Sequence, residues 1–277
     1  MSKPITSKRF LELCTEWGIK TIATHTNWAS HNRNTKGEWN DLHGVMLHHT
    51  GKFTSVNQMA ELLWNGYAAL PGPLCQSGID PAGILRLTGW GRANHAGLGS
   101  ESTLERVIAS NYPKTGNIKP GPPTIDGNAR FYGFEIMADG ITPITDAQRI
   151  TAVRITAAIC LEHNWGPDVI GHGEWQQGKW DVGAHGKLID FSVIRNEVKQ
   201  AMKEGPPKKK PPTPTKPPAP KPTPVPTALY TIRTGDTLMG IAEEKFGDPK
   251  RWTDIVAANP SLLKTLIPGQ KLTLPGK

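Results

Sequence analysis

Residues 44–51 read "GVMLHHTG", a short apolar run that stops at two adjacent histidines and a turn. An apolar run of this length, bounded by glycines, is the signature of a buried strand. On a strand, successive side chains point to opposite faces, so His48 and His49 are unlikely partners for one ion. Around this run the pattern alternates. Residues 7–17 and 55–63 have helical spacing, whereas "GILRLTG" and "FYGFEIM" read as strands. The best-marked helix spans residues 146–163: Thr145 and Gln148 have capping-box spacing, and Ile150, Val153, Ala157, Cys160 and Leu161 recur on one face before Gly166. A short strand "DVIGH" and a helix over "DFSVIRNEVKQAM" close the region. The fold class this predicts is α/β, a mixed central sheet with flanking helices.

Composition divides the chain further. Residues 205–227 hold eleven prolines and five lysines, with no acidic or aromatic residue. Such a segment cannot bury a core and predicts an extended linker of polyproline II character, reaching roughly 70 Å at ~3.1 Å per residue. It separates a main domain, residues 1–204, from a small module, residues 228–277. The net charge of +8 sits mostly in the tail, because residues 1–204 carry 20 basic against 19 acidic groups. That pattern suggests attraction to an anionic polymer. Lysines in a proline-rich spacer without interleaved aromatics argue against nucleic-acid binding. No apolar run approaches the ~18–20 residues needed to cross a bilayer, so no membrane insertion is expected.

Glu12 and Glu16 interrupt what would be the apolar core of a secretory signal. Cys14, Cys75 and Cys160 are odd in number and widely spaced, which predicts reduced thiols rather than disulfides or a metal clip. Synthesis in a cytosol is therefore expected.

Among nine histidines, His25, His31, His43, His163 and His185 have no partner at a telling spacing and read as surface or structural. Two places differ: the His48/His49 pair, and "GHGEWQQGKWDVG", where His172 leaves a strand and Lys179 and Asp181 follow. A catalytic zinc site takes three nitrogen, oxygen or sulfur ligands and leaves a fourth position open. One histidine of the pair, His172 and Asp181 would make such a set, with a net positive charge that acidifies water.

Four motifs then occur in a familiar order: "GVMLHHTG", "GRANHAG" at residues 91–97, "FYGFE" at 131–135 and "GHGEWQQGKWD" at 171–181. Together they resemble zinc-dependent N-acetylmuramoyl-L-alanine amidases of the amidase-2, or peptidoglycan-recognition, type, and most of all phage endolysins. The resemblance implies that His48, His172 and Asp181 bind Zn2+, that Glu135 is the catalytic acid and base, and that Lys179 supports the oxyanion. His49 and His95 are read as residues that support the ligands or line the substrate groove, with a purely structural role as the alternative. Trp64, Trp90, Trp175 and Trp180 are sugar-stacking candidates, though packing is the default for tryptophan. Two departures stand out. The region "PLCQSGIDPAG" lacks the tyrosine of some relatives, and Val182 follows Asp181 where many carry proline.

Residues 228–277 read strand, helix, helix, strand, with Asp236 as the expected cap of a helix burying Leu238, Ile241, Ala242 and Phe246. Trp252, Ile255 and Val256 form the expected inner face of the next helix. "YTIRTGDTLMGIAEEKFGD" and "ANPSLLKTLIPGQKLTLP" resemble a LysM module of βααβ type. That resemblance implies contacts with N-acetylglucosamine-containing glycan from Gly235, Asp236, Thr237, Leu238, Asn259, Leu266, Ile267 and Pro268. The combined expectation is a wall hydrolase of phage type. It would be made in a bacterial cytoplasm without a signal peptide, act on peptidoglycan after release, and cut between muramic acid and L-alanine. A bacterial autolysin of the same chemistry, and a non-catalytic peptidoglycan-recognition protein, are the alternatives.

Overall fold

The computed structural model describes residues 2–207, 228–259 and 266–275. Its contacts divide the chain into two units, Met1–Lys208 and Lys209–Lys277. Most of the predicted linker, residues 208–227, lies outside the described residues.

The first unit is built on a six-stranded sheet of Thr21–Ala23 (β1), Gly44–His49 (β2), Ser77–Ile79 (β3), Leu85–Leu87 (β4), Phe131–Ile136 (β5) and Val169–Gly171 (β6), in the order β1-β4-β3-β5-β2-β6. Only the β3–β4 pair is antiparallel. The helices are Ser7–Glu16 (α1), Val56–Asn65 (α2), Glu101–Ile108 (α3), Asp146–Glu162 (α4), the single turn His172–Trp175 (α5) and Phe191–Glu204 (α6). This is the mixed α/β arrangement expected from the sequence. The three cysteines are free and buried.

Strand alternation sorts the core into two layers. Val45, Leu47, Tyr132, Phe134 and Ile136 pack with Phe10, Leu13, Ile155, Ile159 and Phe191 from the helices. On the other face Met46, Phe131 and Ile170 pack with Leu104, Val107 and the fully buried Trp175. Each helix start has a chemical cause: Thr6, Ser55 and Ser100 accept backbone N–H groups at the starts of α1, α2 and α3, and Thr145 with Gln148 completes a capping box at α4. One expectation for α4 fails. Val153, Ala157 and Cys160 are buried as expected, but Ile150 and Leu161 are exposed, and the buried arc takes in Ala152, Ile155, Ala158 and Ile159 instead.

In the second unit Ala228–Thr231 (β7) pairs antiparallel with Lys271–Leu274 (β8), and Leu238–Phe246 (α7) and Trp252–Ala258 (α8) lie between them in sequence. Its core is Tyr230, Ile232, Ile241, Ala242, Ile255, Leu272 and Leu274. Two expectations change here. Thr237, not Asp236, caps α7, accepting from Gly240 N at 3.0 Å. Asp236 instead accepts from Arg233 N and from the Tyr230 hydroxyl. Trp252 and Val256 are exposed, so α8 buries Ile255 alone of the three residues expected to face inward; a core this small covers little of the helix. Among the described residues no helix is long and apolar enough to cross a membrane.

Candidate metal centre and cleft

Register assembles the site. In the parallel pair β2–β5, His48 stands beside Glu135, and β6 runs along β2 with Gly171 beside Leu47. One residue further, His172 therefore emerges next to His48. Glu135, His48 and His172 form a row across the carboxyl ends of three parallel strands, the usual position of sites in such sheets.

The loop after α5 brings in Asp181. His48 Nδ1, His172 Nδ1 and Asp181 Oδ2 form a triangle with edges of 3.1, 3.1 and 3.2 Å. A tetrahedral zinc with bonds of ~2.0–2.2 Å places its ligand atoms about 3.3–3.4 Å apart. Two imidazole nitrogens and a carboxylate oxygen at this spacing fit that cation, since no single ring proton satisfies all three edges. His48 is 1% exposed. Burial lowers it to about 4 despite the hydrogen bond to Asp181, so the ring is neutral with a lone pair free. Burial by itself would raise the Asp181 carboxyl. Hydrogen bonds with His172 and His48 outweigh that effect and hold the group well below the usual carboxylate range.

The surroundings orient these groups. With Nδ1 of His48 facing the triangle, its Nε2 carries the ring hydrogen and donates to His95 Nδ1 at 3.0 Å. Burial, followed by the His48 and His172 charges, holds His95 well below its ordinary range, so it can accept that bond. His95 is set in turn by Asn128, whose Oδ1 accepts from the backbone of His95 and Ala96 at 2.8 Å each. Gly133 is the other support, because a Cβ there would come within 2.5 Å of the His95 ring. The α5 turn that begins at His172 is tied by Glu174, which accepts from Ile118 N at 2.6 Å and is clamped by Arg195.

Glu135 is half-buried, and its Oε2 is buried without a hydrogen-bond partner among the described residues. Burial, then the Asp181 charge, pushes its carboxyl well above the ordinary range, with Lys179 opposing. Glu135, His95, His172, Lys179, Trp180 and Asp181 line one cleft of about 450 Å³. The structure thus brings every residue proposed for the metal and its chemistry into one place.

Other expectations divide. Of the four tryptophans, Trp180 lines the cleft, Trp90 and Trp175 are core, and Trp64 stacks on His31. Cys75 is a packed small residue, as expected. Sequence reasoning missed Tyr67. It lies on a small hairpin with Leu70 and lines the cleft beside Leu62 and Leu74. It also missed Asn128 and the Glu174–Arg195 clamp, since each acts through a partner at least 21 residues away in sequence and local periodicity carries no mark of that.

In the second unit Asn259 already gives its amide to Ile255 O and Thr273 O and accepts from Thr273 N. It ties α8 to β8 with both amide hydrogens engaged. Of the other residues named for that role, Gly235, Thr237, Ile267 and Pro268 are exposed, while Asp236, Leu238 and Leu266 are half-buried.

The chain is similar to the endolysin N-acetylmuramoyl-L-alanine amidase LysCS from Clostridium intestinale URNW, at 14% identity and a TM-score of 0.41, over 65% of this chain and 95% of that one. It is similar to an AmpD structure at 18% identity and a TM-score of 0.42, over 65% and 94%. It is also similar to Staphylococcus aureus hydrolase AmiA at 12% identity and 0.42, over 73% and 95%. No curated protein matches the sequence. The model of the family described as N-acetylmuramoyl-L-alanine amidase, Amidase_2, matches residues 38–184. Matched over more than half its length, with the row of Glu135, His48 and His172 and the loop carrying Asp181 inside the match, the chain belongs to the N-acetylmuramoyl-L-alanine amidase family.

Proposed function

We propose that this chain is a zinc-dependent peptidoglycan amidase that hydrolyses the amide joining the lactyl group of N-acetylmuramic acid to L-alanine of the stem peptide. The observation that carries the reading is the triangle of His48, His172 and Asp181 with Glu135 beside it in strand register. These three residues would hold the cation. Zinc, when bound, supplies Lewis acidity toward water and the scissile carbonyl. Glu135 takes a proton from the attacking water and passes it to the leaving amide nitrogen, which its unpartnered oxygen and raised carboxyl suit. Lys179, exposed on the cleft rim, offers positive charge where the oxyanion develops. The cleft supplies two kinds of surface, apolar from Leu62, Tyr67 and Leu70 and polar from the 178–181 loop, which suits a substrate that is part sugar and part peptide.

We assign the second unit to wall binding of LysM type and the whole chain to an endolysin-like lytic role. A weak glycan binder joined to the catalytic unit raises the local concentration of substrate. The five lysines of residues 205–227 add salt-sensitive attraction to anionic wall polymers. Purified peptidoglycan incubated with the protein should gain free L-alanine amino termini in zinc and none with chelator. Their absence in the zinc-replete sample sinks the amidase reading. A pure recognition role is disfavoured, because its mark would be a missing ligand residue and all three positions hold competent ones.

A further inference from the structure

We propose that His49 is a positioning residue that latches the loop of residues 179–183, and so sets Asp181 and Lys179 in the cleft before a cation arrives. This rests on the reading of His48, His172 and Asp181 as a metal set. Strand alternation turns His49 away from its neighbour, and at the end of β2 His49 both lines the cleft and reaches the loop. Gly183 N donates to His49 Nδ1 at 3.0 Å. The Trp180 ring meets the imidazole edge-on, centroids 4.7 Å apart at 62°. Gly140 makes room for both: a Cβ there would come 2.6 Å from Trp180 Cη2 and 3.1 Å from His49 Nε2.

The latch brackets the ligand, since Trp180 precedes Asp181 by one residue and Gly183 follows it by two. Apart from the contacts of the Asp181 carboxylate with His48 and His172, the ties of this stretch are backbone to backbone: Gly173 N to Asp181 O at 3.1 Å, His185 N to Gly140 O at 2.8 Å and Ile189 N to Val182 O at 3.0 Å. Outside the proposed ligand set His49 supplies a side-chain acceptor, so it is a tie a substitution can remove while leaving the ligands in place. A loop ordered in advance does not pay its ordering cost when the cation binds, which appears as tighter binding. The imidazole does two separable things, accepting through Nδ1 and packing on Trp180. Phenylalanine keeps the ring and loses the acceptor, whereas asparagine places Oδ1 where Nδ1 stood and loses the ring.

The test uses the full chain as wild type, His49→Phe and His49→Asn, with two readouts. One is the zinc dissociation constant from chelator competition; the other is hydrogen exchange across residues 179–186 in metal-free protein. The expected result for His49→Phe is one zinc per chain at saturation, affinity about 10–100-fold weaker, and faster exchange at residues 182–184. His49→Asn should recover much of both. Unchanged affinity and exchange in His49→Phe overturn the latch. If His49→Phe does not fold, His49→Asn decides: wild-type protection at Gly183 supports the latch, and lost protection with lost affinity overturns the acceptor role. A wild-type chain that binds no zinc defeats the metal reading instead, while the metal-free exchange still judges the latch.

Discussion

Arg195 closes on Glu174 through two hydrogen bonds, Nη1 to Oε2 at 2.9 Å and Nη2 to Oε1 at 3.1 Å, in a place where Glu174 is 0% and Arg195 4% exposed. The pair joins α6 to the α5 turn that carries His172. Removing one partner strands the other charge without water. Arg195→Leu should therefore cost about 3–5 kcal/mol in urea unfolding. The double variant Arg195→Leu with Glu174→Leu should recover part of that loss, because no uncompensated charge remains.

The three ligand positions should behave alike and His95 differently. His48→Ala, His172→Ala and Asp181→Ala should each purify without stoichiometric zinc by elemental analysis. His95→Ala removes only the acceptor for His48 Nε2, so it should keep zinc at saturation with affinity about 10–100-fold weaker.

Glu135 gives no ligand atom to the triangle, and proton transfer is the role proposed for it. Glu135→Gln should retain zinc and lower kcat about 10²–10⁴-fold, read as release of amino termini from purified wall. Loss of zinc in this variant would place Glu135 among the ligands.

Gly133→Ala probes the support beneath His95. A methyl group 2.5 Å from the His95 ring forces the ring to move. Overpacking of this kind costs about 1–3 kcal/mol, seen in thermal or urea unfolding. It should also loosen zinc in the manner of His95→Ala.

Far from the cleft, His163 gives the fold a dependence on pH. The Tyr132 hydroxyl donates to His163 Nε2 at 2.8 Å, and the imidazole stacks on Trp165 at 4.0 Å. Burial lowers His163 from 6.5 to about 4, so protons bind the unfolded chain more readily. Its contribution is complete above pH 6.5 and is lost as pH falls toward 4. His163→Phe should flatten the fall of the thermal midpoint in that window relative to wild type, while His48 titrates in both chains.

Local chemistry was enough for much of the molecule. Short apolar runs mark β2 and β5, helical spacing marks α1 and α4, and Thr145 with Gln148 marks a helix start, because these signals depend on neighbours within a few residues. The proline-rich stretch separates two units on composition alone. The motifs carried their resemblance in the types and order of His48, Glu135, His172, Lys179 and Asp181. What the sequence left open is whatever depends on partners distant along the chain. The resemblance favours His48 over His49, but only parallel register gives the physical reason, setting His48 beside Glu135 and next to His172 while His49 accepts from Gly183. Tyr67 reaches the cleft through a hairpin with no motif, and Asp236 gives up its expected cap because Arg233 N and the Tyr230 hydroxyl claim it. Trp252 stays exposed because a core of about seven side chains has no surface left to cover it. Side-chain type and spacing are written locally; strand register and the closing of long-range hydrogen bonds follow only once the whole unit packs, and there the centre is decided.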